Sequence, residues 1–250
     1  MNSFFHQKFS IPCYDTDAAQ LLKPVSFMNY AQEQANCHAS VLGFGYDDMV
    51  STKTAWVLSR MHIRFLRHPV WRETVNMKTW HKGPQGLFYI RDFRMTDEKD
   101  ESVLAVATTS WLVVNIDTHR LVREAILDEG SVCKDDAISP ACDKIHIPAG
   151  MTPDHAASHT VSYSDLDLNG HANNAMYIVW SMDVLPCDIT LNRPMKELKI
   201  NFNHEVRAGE TVDLYLGTAE DGGERKYWVE GRIRGNEASP VSSFIVEMTF

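Results

Sequence analysis

The sequence predicts an α+β chain made of two tandem copies of one unit, each an antiparallel sheet curled around a single central helix, and three observations carry that prediction. Residues 61–76, MHIRFLRHPVWRETVN, lie over residues 198–213, LKINFNHEVRAGETVD, without a gap and at a constant offset of 137, so that Ile63/Ile200, Phe65/Phe202 and the triplet Glu73-Thr74-Val75/Glu210-Thr211-Val212 coincide. A helix pattern precedes each copy of the repeat. Several strand patterns follow each copy.

The elements follow in order. In the first copy Pro24 suits the first helical position, and Met28, Ala31, Ala35, Ala39 and Leu42 recur at helical spacing until Gly43 can cap the end, which predicts a helix of about 18 residues. Met61, Ile63 and Phe65 then alternate with polar residues, as do Leu198, Ile200 and Phe202, the period of a half-buried strand. A turn leads to a further strand in each copy. Segments 87–93 and 105–115 continue the first sheet, and segments 226–234 and 241–250 the second. The second helix is shorter, with Met176, Val179 and Val184 as its stripe and Pro186 as its limit. A lone apolar helix beside a twisted antiparallel sheet is buried when the sheet wraps it, the hot-dog arrangement, here twice. The organisation read from this is a first unit over 1–130, a connector over 131–155 with prolines, mixed charge and little periodicity, and a second unit over 156–250.

Composition narrows the function. A hydrophobic content of 44% fills a core in one large domain or two small ones, and a net charge of −9 argues against a polynucleotide partner, which needs a basic face. The five cysteines, Cys13, Cys37, Cys133, Cys142 and Cys187, are scattered and form no CxxC, so neither a disulfide framework nor a zinc knuckle is expected and a reducing cytosol fits. The start MNSFFHQKFS lacks an apolar h-region, and no run of 18 apolar residues occurs, so neither export nor membrane insertion is expected. His155, His159 and His171 have no matched carboxylate or thiol pair, and neither a metal nor another cofactor is expected.

Residues 165–174, DLDLNGHANN, carry Asp167, Asn169 and His171 two apart just ahead of the second helix. In an extended lead-in those side chains share a face next to free amides at the helix start, a setting that favours developing negative charge and suits hydrolysis at an acyl carbon. Spacing alone favours a second reading, in which Asp, Asn and Gly are turn and cap chemistry and His171 is a solvated loop residue. The repeat weighs against it, because the first copy has Tyr14, Asp15 and Asp17 but continues AAQLLKP, with no Asn-x-His. Glu205 falls opposite His68 at the same offset, so only the second copy offers a carboxylate there; an exposed acid at a strand end is the equally supported alternative. No GxSxG elbow is present and no cysteine falls in the motif.

At these motifs the chain resembles the fatty acyl-ACP thioesterases of plants and bacteria over nearly its whole length. DLDLNGHANNAMYIVW resembles the family's D-x-D-x-N-x-H-x-N-N-x-x-Y signature, and FNHEVRAGE resembles the strand end that carries its catalytic glutamate. FSIPCYDTDAA, VSFMNYAQEQANCHAS, AWVLSRM and TTSWLVVNIDTHRLVR resemble the corresponding first-half segments. The resemblance implies a tandem hot-dog hydrolase that ends fatty acid synthesis by releasing fatty acids from acyl carrier protein, with Asp167, Asn169, His171 and Glu205 at the catalytic positions, while the cysteine pattern is what makes a cytoplasmic location the expectation. Plant members often have a cysteine directly after that glutamate; Val206 stands here and cannot act as a nucleophile, so carboxylate chemistry gains.

Glu205, its pKa raised by partial burial, is expected to activate a water, with direct attack to an anhydride left open; Asn169, His171 and helix amides would stabilise the oxyanion, and Asp167 would hold His171 or the helix start. The family's first half supplies the acyl pocket, which assigns Met28, Ala31, Ala35, Trp56, Met61 and Ile63 to chain binding, although core packing is the default for each. The implied partner is acyl carrier protein bearing a phosphopantetheine-linked acyl chain. Eight cations against two anions over 60–94 are expected to form a docking patch, Arg60, His62 and Arg64 sharing one strand face. An acyl-CoA thioesterase, a non-catalytic acyl-thioester sensor and a hydratase are the competing readings, and monomer and homodimer are both open.

Overall fold

The computed structural model describes residues 3–123, 131–235 and 240–250, and the chain divides into two compact units, Met1–Asp143 and Lys144–Phe250. The first holds β1 (Phe4–Ser10), α1 (Pro24–Val41), α2 (Tyr46–Ser51), β2 (Thr54–Phe65), β3 (Thr74–Gln85), β4 (Phe88–Asp97) and β5 (Val103–Asn115). The second holds β6 (Asp154–Thr160), α3 (Asn174–Asp183), α4 (Cys187–Asn192), β7 (Glu197–Phe202), β8 (Thr211–Asp221), β9 (Glu224–Ile233) and β10 (Val241–Thr249). The strands of the first run in the order β1-β3-β4-β5-β2 and those of the second in the order β6-β8-β9-β10-β7, all antiparallel. Matched in chain order, these are one topology used twice: each unit is a hot-dog.

The first helix is built by local chemistry and kept by burial. Pro24 occupies its first turn, where the missing N–H costs nothing. At its end Gly43 takes a φ of 81°, Gly43 N–H reaches Ser40 O at 3.2 Å and Phe44 N–H reaches Ala39 O at 3.0 Å, the two bonds of a Schellman cap. Phe27, Met28, Ala31, Ala35 and Ala39 form its buried face, with Phe27 meeting Phe65 of β2 edge-on at 5.7 Å. In α3 the Asn173 side chain caps the start by accepting from Ala175 N–H at 2.9 Å. The buried face of α3 is Ala175, Tyr177, Ile178, Trp180 and Ser181 rather than the expected stripe of Met176, Val179 and Val184, which is half-buried. A helix apolar all round does not declare which side faces the sheet.

Three features fall outside the sequence reading. The segments read as lead-ins contain strands β1 and β6, which pair with β3 and β8 at the ends of the two strand orders and are mostly exposed. Short helices α2 and α4 are too brief to show a period. The stretch 131–155 is shared between the units. On one side Trp80 Nε1 donates to Asp135 O at 2.8 Å and Ala137 N–H to Asp92 Oδ2 at 2.8 Å; on the other, Ile145, Ile147 and Met151 pack with Trp228 and Ile245.

Candidate active site

Asp167, Asn169 and His171 do not alternate along an extended segment. Asp167 to Gly170 is a tight turn, closed by Gly170 N–H to Asp167 O at 3.1 Å and Asp167 N–H to His171 O at 2.8 Å. The Asp167 carboxylate folds back on the turn, its Oδ1 accepting from Asn169 N–H at 2.8 Å and His171 N–H at 3.2 Å. Gly170 sits at a φ of 77°, a conformation a side chain resists. The spacing of two therefore comes from turn chemistry, and it sets the Asn169 amide nitrogen 3.5 Å from the remaining Asp167 oxygen.

Leaving the turn, the backbone runs against the loop that follows β7. Ala172 N–H donates to Val206 O at 2.8 Å and His171 bridges Arg207, so the two segments are held in register. That register brings Glu205 to His171, with Oε2 3.4 Å from Nε2. The His171 side chain is 28% exposed and that of Glu205 56%, so Glu205 is more open to solvent than the partial burial expected of it. Val206 is fully buried and faces the core. The expected free amides at the helix start are engaged in part, since Ala175 N–H binds the Asn173 side chain and Met176 N–H binds Asn173 O at 2.8 Å.

Beneath this pair lies support that the sequence reading passed over. The buried Asp165 carboxylate receives Ser162 N–H at 2.7 Å, pairs with His159 Nε2 at 2.9 Å and receives Trp180 Nε1 at 3.3 Å, while Asp165 O accepts Asn173 N–H at 2.7 Å. Burial pushes its pKa up, but the Ser162 amide and His159 more than compensate and hold it below the ordinary carboxylate value. Tyr177, behind the site, has its pKa raised by burial. A signal for Asp165 was available, because Asp15 occupies the equivalent place in the first copy.

The first unit repeats the backbone without the reactive groups. Asp17 N–H binds Leu21 O at 2.9 Å, Gln20 N–H binds Asp17 O at 3.0 Å, and Ala19 and Leu21 N–H both donate to Asp17 Oδ1 at 2.9 Å. Leu22 N–H then reaches Pro69 O at 2.8 Å, as Ala172 reaches Val206. Ala19 stands for Asn169, Leu21 for His171 and the buried His68 for Glu205, with His68 Nδ1 3.0 Å from Leu22 O. The aspartate belongs to the turn in both units; the amide, imidazole and glutamate occur together in the second alone. An exposed carboxylate beside an imidazole can hold a water and direct it at an electrophilic carbon.

Met28, Met61 and Ile63 are fully buried in the interior of the first unit and Ala31 and Ala35 nearly so. Trp56 is half-buried, its Nε1 donating to Phe44 O at 3.1 Å and its ring edge-on to Tyr89 at 5.2 Å. The basic patch expected over 60–94 does not form as one free face. Arg91 and His62 are buried, Lys82 pairs with Asp92 and Asp136, Arg67 pairs with Glu73 and Asp97, and Arg60, Arg72, Lys78 and Arg94 lie over aromatic rings. A bulge between Leu58 and Arg60 and the inward turn of His62 break the simple alternation.

Two family models match the chain, the acyl-ACP thioesterase N-terminal domain over residues 2–130 and the acyl-ACP thioesterase C-terminal domain over residues 151–243. Among curated relatives, an oleoyl-acyl carrier protein thioesterase of Coriandrum sativum is 27% identical over 84% of this chain, and one of Arabidopsis thaliana is 27% identical over 96%. The alignments span 61% and 68% of those relatives' own lengths. The solved 12:0-ACP thioesterase of Umbellularia californica shares the fold with a TM-score of 0.82 at 22% identity, covering 99% of this chain and 97% of that one. With both models matched in order along a chain of two hot-dog units, this protein belongs to the acyl-ACP thioesterase family.

Proposed function

We propose that the chain hydrolyses the thioester of a fatty acyl group carried on acyl carrier protein, releasing the fatty acid and the carrier thiol. The observation that carries this reading is the meeting of Glu205 and His171 at 3.4 Å in the second unit, with His68 and Leu21 at the equivalent places in the first. Glu205 takes a proton from water as the water oxygen bonds to the acyl carbon. Asn169 and His171 donate to the oxygen that becomes negative, and Asp167 fixes the turn that aims them. The C–S bond then breaks, and the departing sulfur takes up the proton that Glu205 removed.

The first unit, under this reading, takes the acyl chain, with Met28, Ala31, Ala35, Trp56, Met61 and Ile63 in its interior. The names of the relatives support carrier-linked substrates, and the scattered cysteines without a CxxC are the ground for proposing a reducing, cytoplasmic setting. Among the described residues no helix is long and apolar enough to cross a membrane. Incubating the protein with acyl carrier proteins of graded chain length, and with the matching acyl-CoAs, tests the reading. Free thiol and free acid from the carrier-linked series are expected. Faster release from the CoA series would make the chain an acyl-CoA hydrolase, and no release from either would make it a binding protein.

A further inference from the structure

The interior of the first unit carries a row of polar groups that the proposed chemistry does not use. His81 of β3 pairs with Arg91 of β4, and Arg91 with Thr109 of β5, so these residues lie side by side across three strands, and all are buried. Arg91 Nη1 binds His38 Nδ1 of α1 at 2.9 Å and Thr79 Oγ1 at 3.2 Å. Among the described residues no carboxylate pairs with Arg91. Its burial pushes its pKa down to about 9, so the guanidinium still carries its charge at neutral pH. A fully buried cation with no counter-ion among the described residues is costly, and a ligand or solvent molecule that accepts from it lowers that cost.

His81 supplies the second observation. Its ring is ringed by Phe44, Trp56 and Tyr89 at centroid distances of 5.9, 6.2 and 6.3 Å, and its Nδ1 is buried with no hydrogen-bond partner. Burial, followed by the positive neighbours Arg91 and His38, drives its pKa well below the ordinary value, which keeps the ring neutral. A neutral imidazole keeps one proton and one lone pair, and with the proton assigned to Nε2 the buried Nδ1 is a lone pair that needs a donor. One turn before His38 on α1, Gln34 Oε1 is likewise buried without a partner, and it too is an acceptor. Opposite His81 on the neighbouring strand stands Arg91, which has donors only.

A carboxylate could satisfy Arg91 but would face the His81 lone pair with its own. A methylene satisfies neither. A hydroxyl donates to His81 Nδ1 and accepts from the guanidinium at once. We propose that Arg91 and His81, inside the aromatic ring of Phe44, Trp56 and Tyr89, form a hydroxyl-recognising subsite for a hydroxyl borne on an otherwise apolar acyl chain. This deepens the reading in which the first unit takes the acyl chain, and so rests on it: the enzyme would select acyl groups oxygenated at one position along the chain.

Calorimetric titration of the full chain with uncharged acyl-pantetheine amides of one chain length, the hydroxyl moved one carbon at a time, tests the proposal without requiring turnover. At one position the hydroxyl should tighten binding about tenfold or more over the unsubstituted amide, the scale of a hydrogen bond to a charged donor, and at the others it should weaken binding. His81→Phe keeps the ring and removes the acceptor, so it should abolish that gain. Should this variant fail to fold, the positional scan on the wild-type protein still decides. No favoured position, a gain that survives in His81→Phe, or tighter binding of an amide ending in a carboxylate would each overturn the subsite. Failure to hydrolyse any acyl-ACP would sink the proposed function instead, and leaves this binding measurement intact.

Discussion

Asp167 and Asp17 perform the same backbone task, and that equivalence separates what the aspartate does for the fold from what it does for the reaction. Each accepts two amides of its own turn, so replacing either with Ala should cost about 1 kcal/mol of stability in denaturant unfolding, the usual worth of such a cap. Asp167→Ala should also lower the rate of thioester hydrolysis, because the turn it holds carries Asn169 and His171, whereas Asp17→Ala should leave turnover at the wild-type level. Equal loss of rate in both would mean that the rate follows stability alone. Glu205→Gln should cut kcat by roughly a hundredfold or more, the range of a general base, while its melting temperature stays near that of the parent, since the side chain is exposed. A Glu205→Gln enzyme with full activity would remove the base from the mechanism. At this scale the repeat singled out Asn169, His171 and Glu205 as what the second copy alone has, but the sequence was a poor guide to their geometry: residues two apart look alike in a strand and in a turn, and only the bonds to Asp167 Oδ1 tell them apart.

Elements follow a similar division. The strands that cross the interior were legible because one face of each is buried and the period shows, as in Met61, Ile63 and Phe65. Strands β1 and β6 were not, because a mostly exposed strand at the end of its unit's strand order has no apolar alternation to read. The turn ahead of each helix makes a prediction of its own. Gly170 and Gln20 occupy equivalent positions at φ of 77° and 64°, a conformation that costs a side chain up to about 1 kcal/mol. Gly170→Ala should therefore destabilise the second unit and slow hydrolysis by displacing His171, while Gln20→Gly should be tolerated or mildly stabilising and neutral for rate. Opposite signs in thermal unfolding are the expected outcome. Asp165, under α3, adds a pH dependence: its pKa in the folded protein lies below the value in the unfolded chain, so its contribution to stability is fully present above about pH 4 and is lost as pH falls through its lowered folded value. Asp165→Asn should flatten that part of the acid unfolding curve, and a curve identical to the parent's would show that His159 and Ser162 do not hold the carboxylate.

For the whole molecule the decisive quantity is charge. Counting residues along 60–94 suggests a basic docking face on a chain of net charge −9, and the structure narrows that suggestion: Arg91 supports the interior, Lys82 and Arg67 neutralise neighbouring carboxylates, and Arg60, Arg64, Arg72, Lys78 and Arg94 keep their charge, four of them over aromatic rings. A carrier that is acidic and meets the anionic remainder of the chain rather than those five cations is repelled at long range, and salt screens repulsion as well as attraction, with a Debye length of about 30 Å at 0.01 M falling to about 8 Å at 0.15 M. Raising the ionic strength across that interval should accordingly lower the KM for acyl carrier protein substrates, or leave it level, and should leave the KM for a small uncharged acyl thioester unaltered. Attraction through a basic patch has the opposite sign. A KM that climbs several-fold with salt, for the carrier substrate alone, would show that the cations of 60–94 act together in docking after all, and substituting the exposed Arg64 would then be the next measurement.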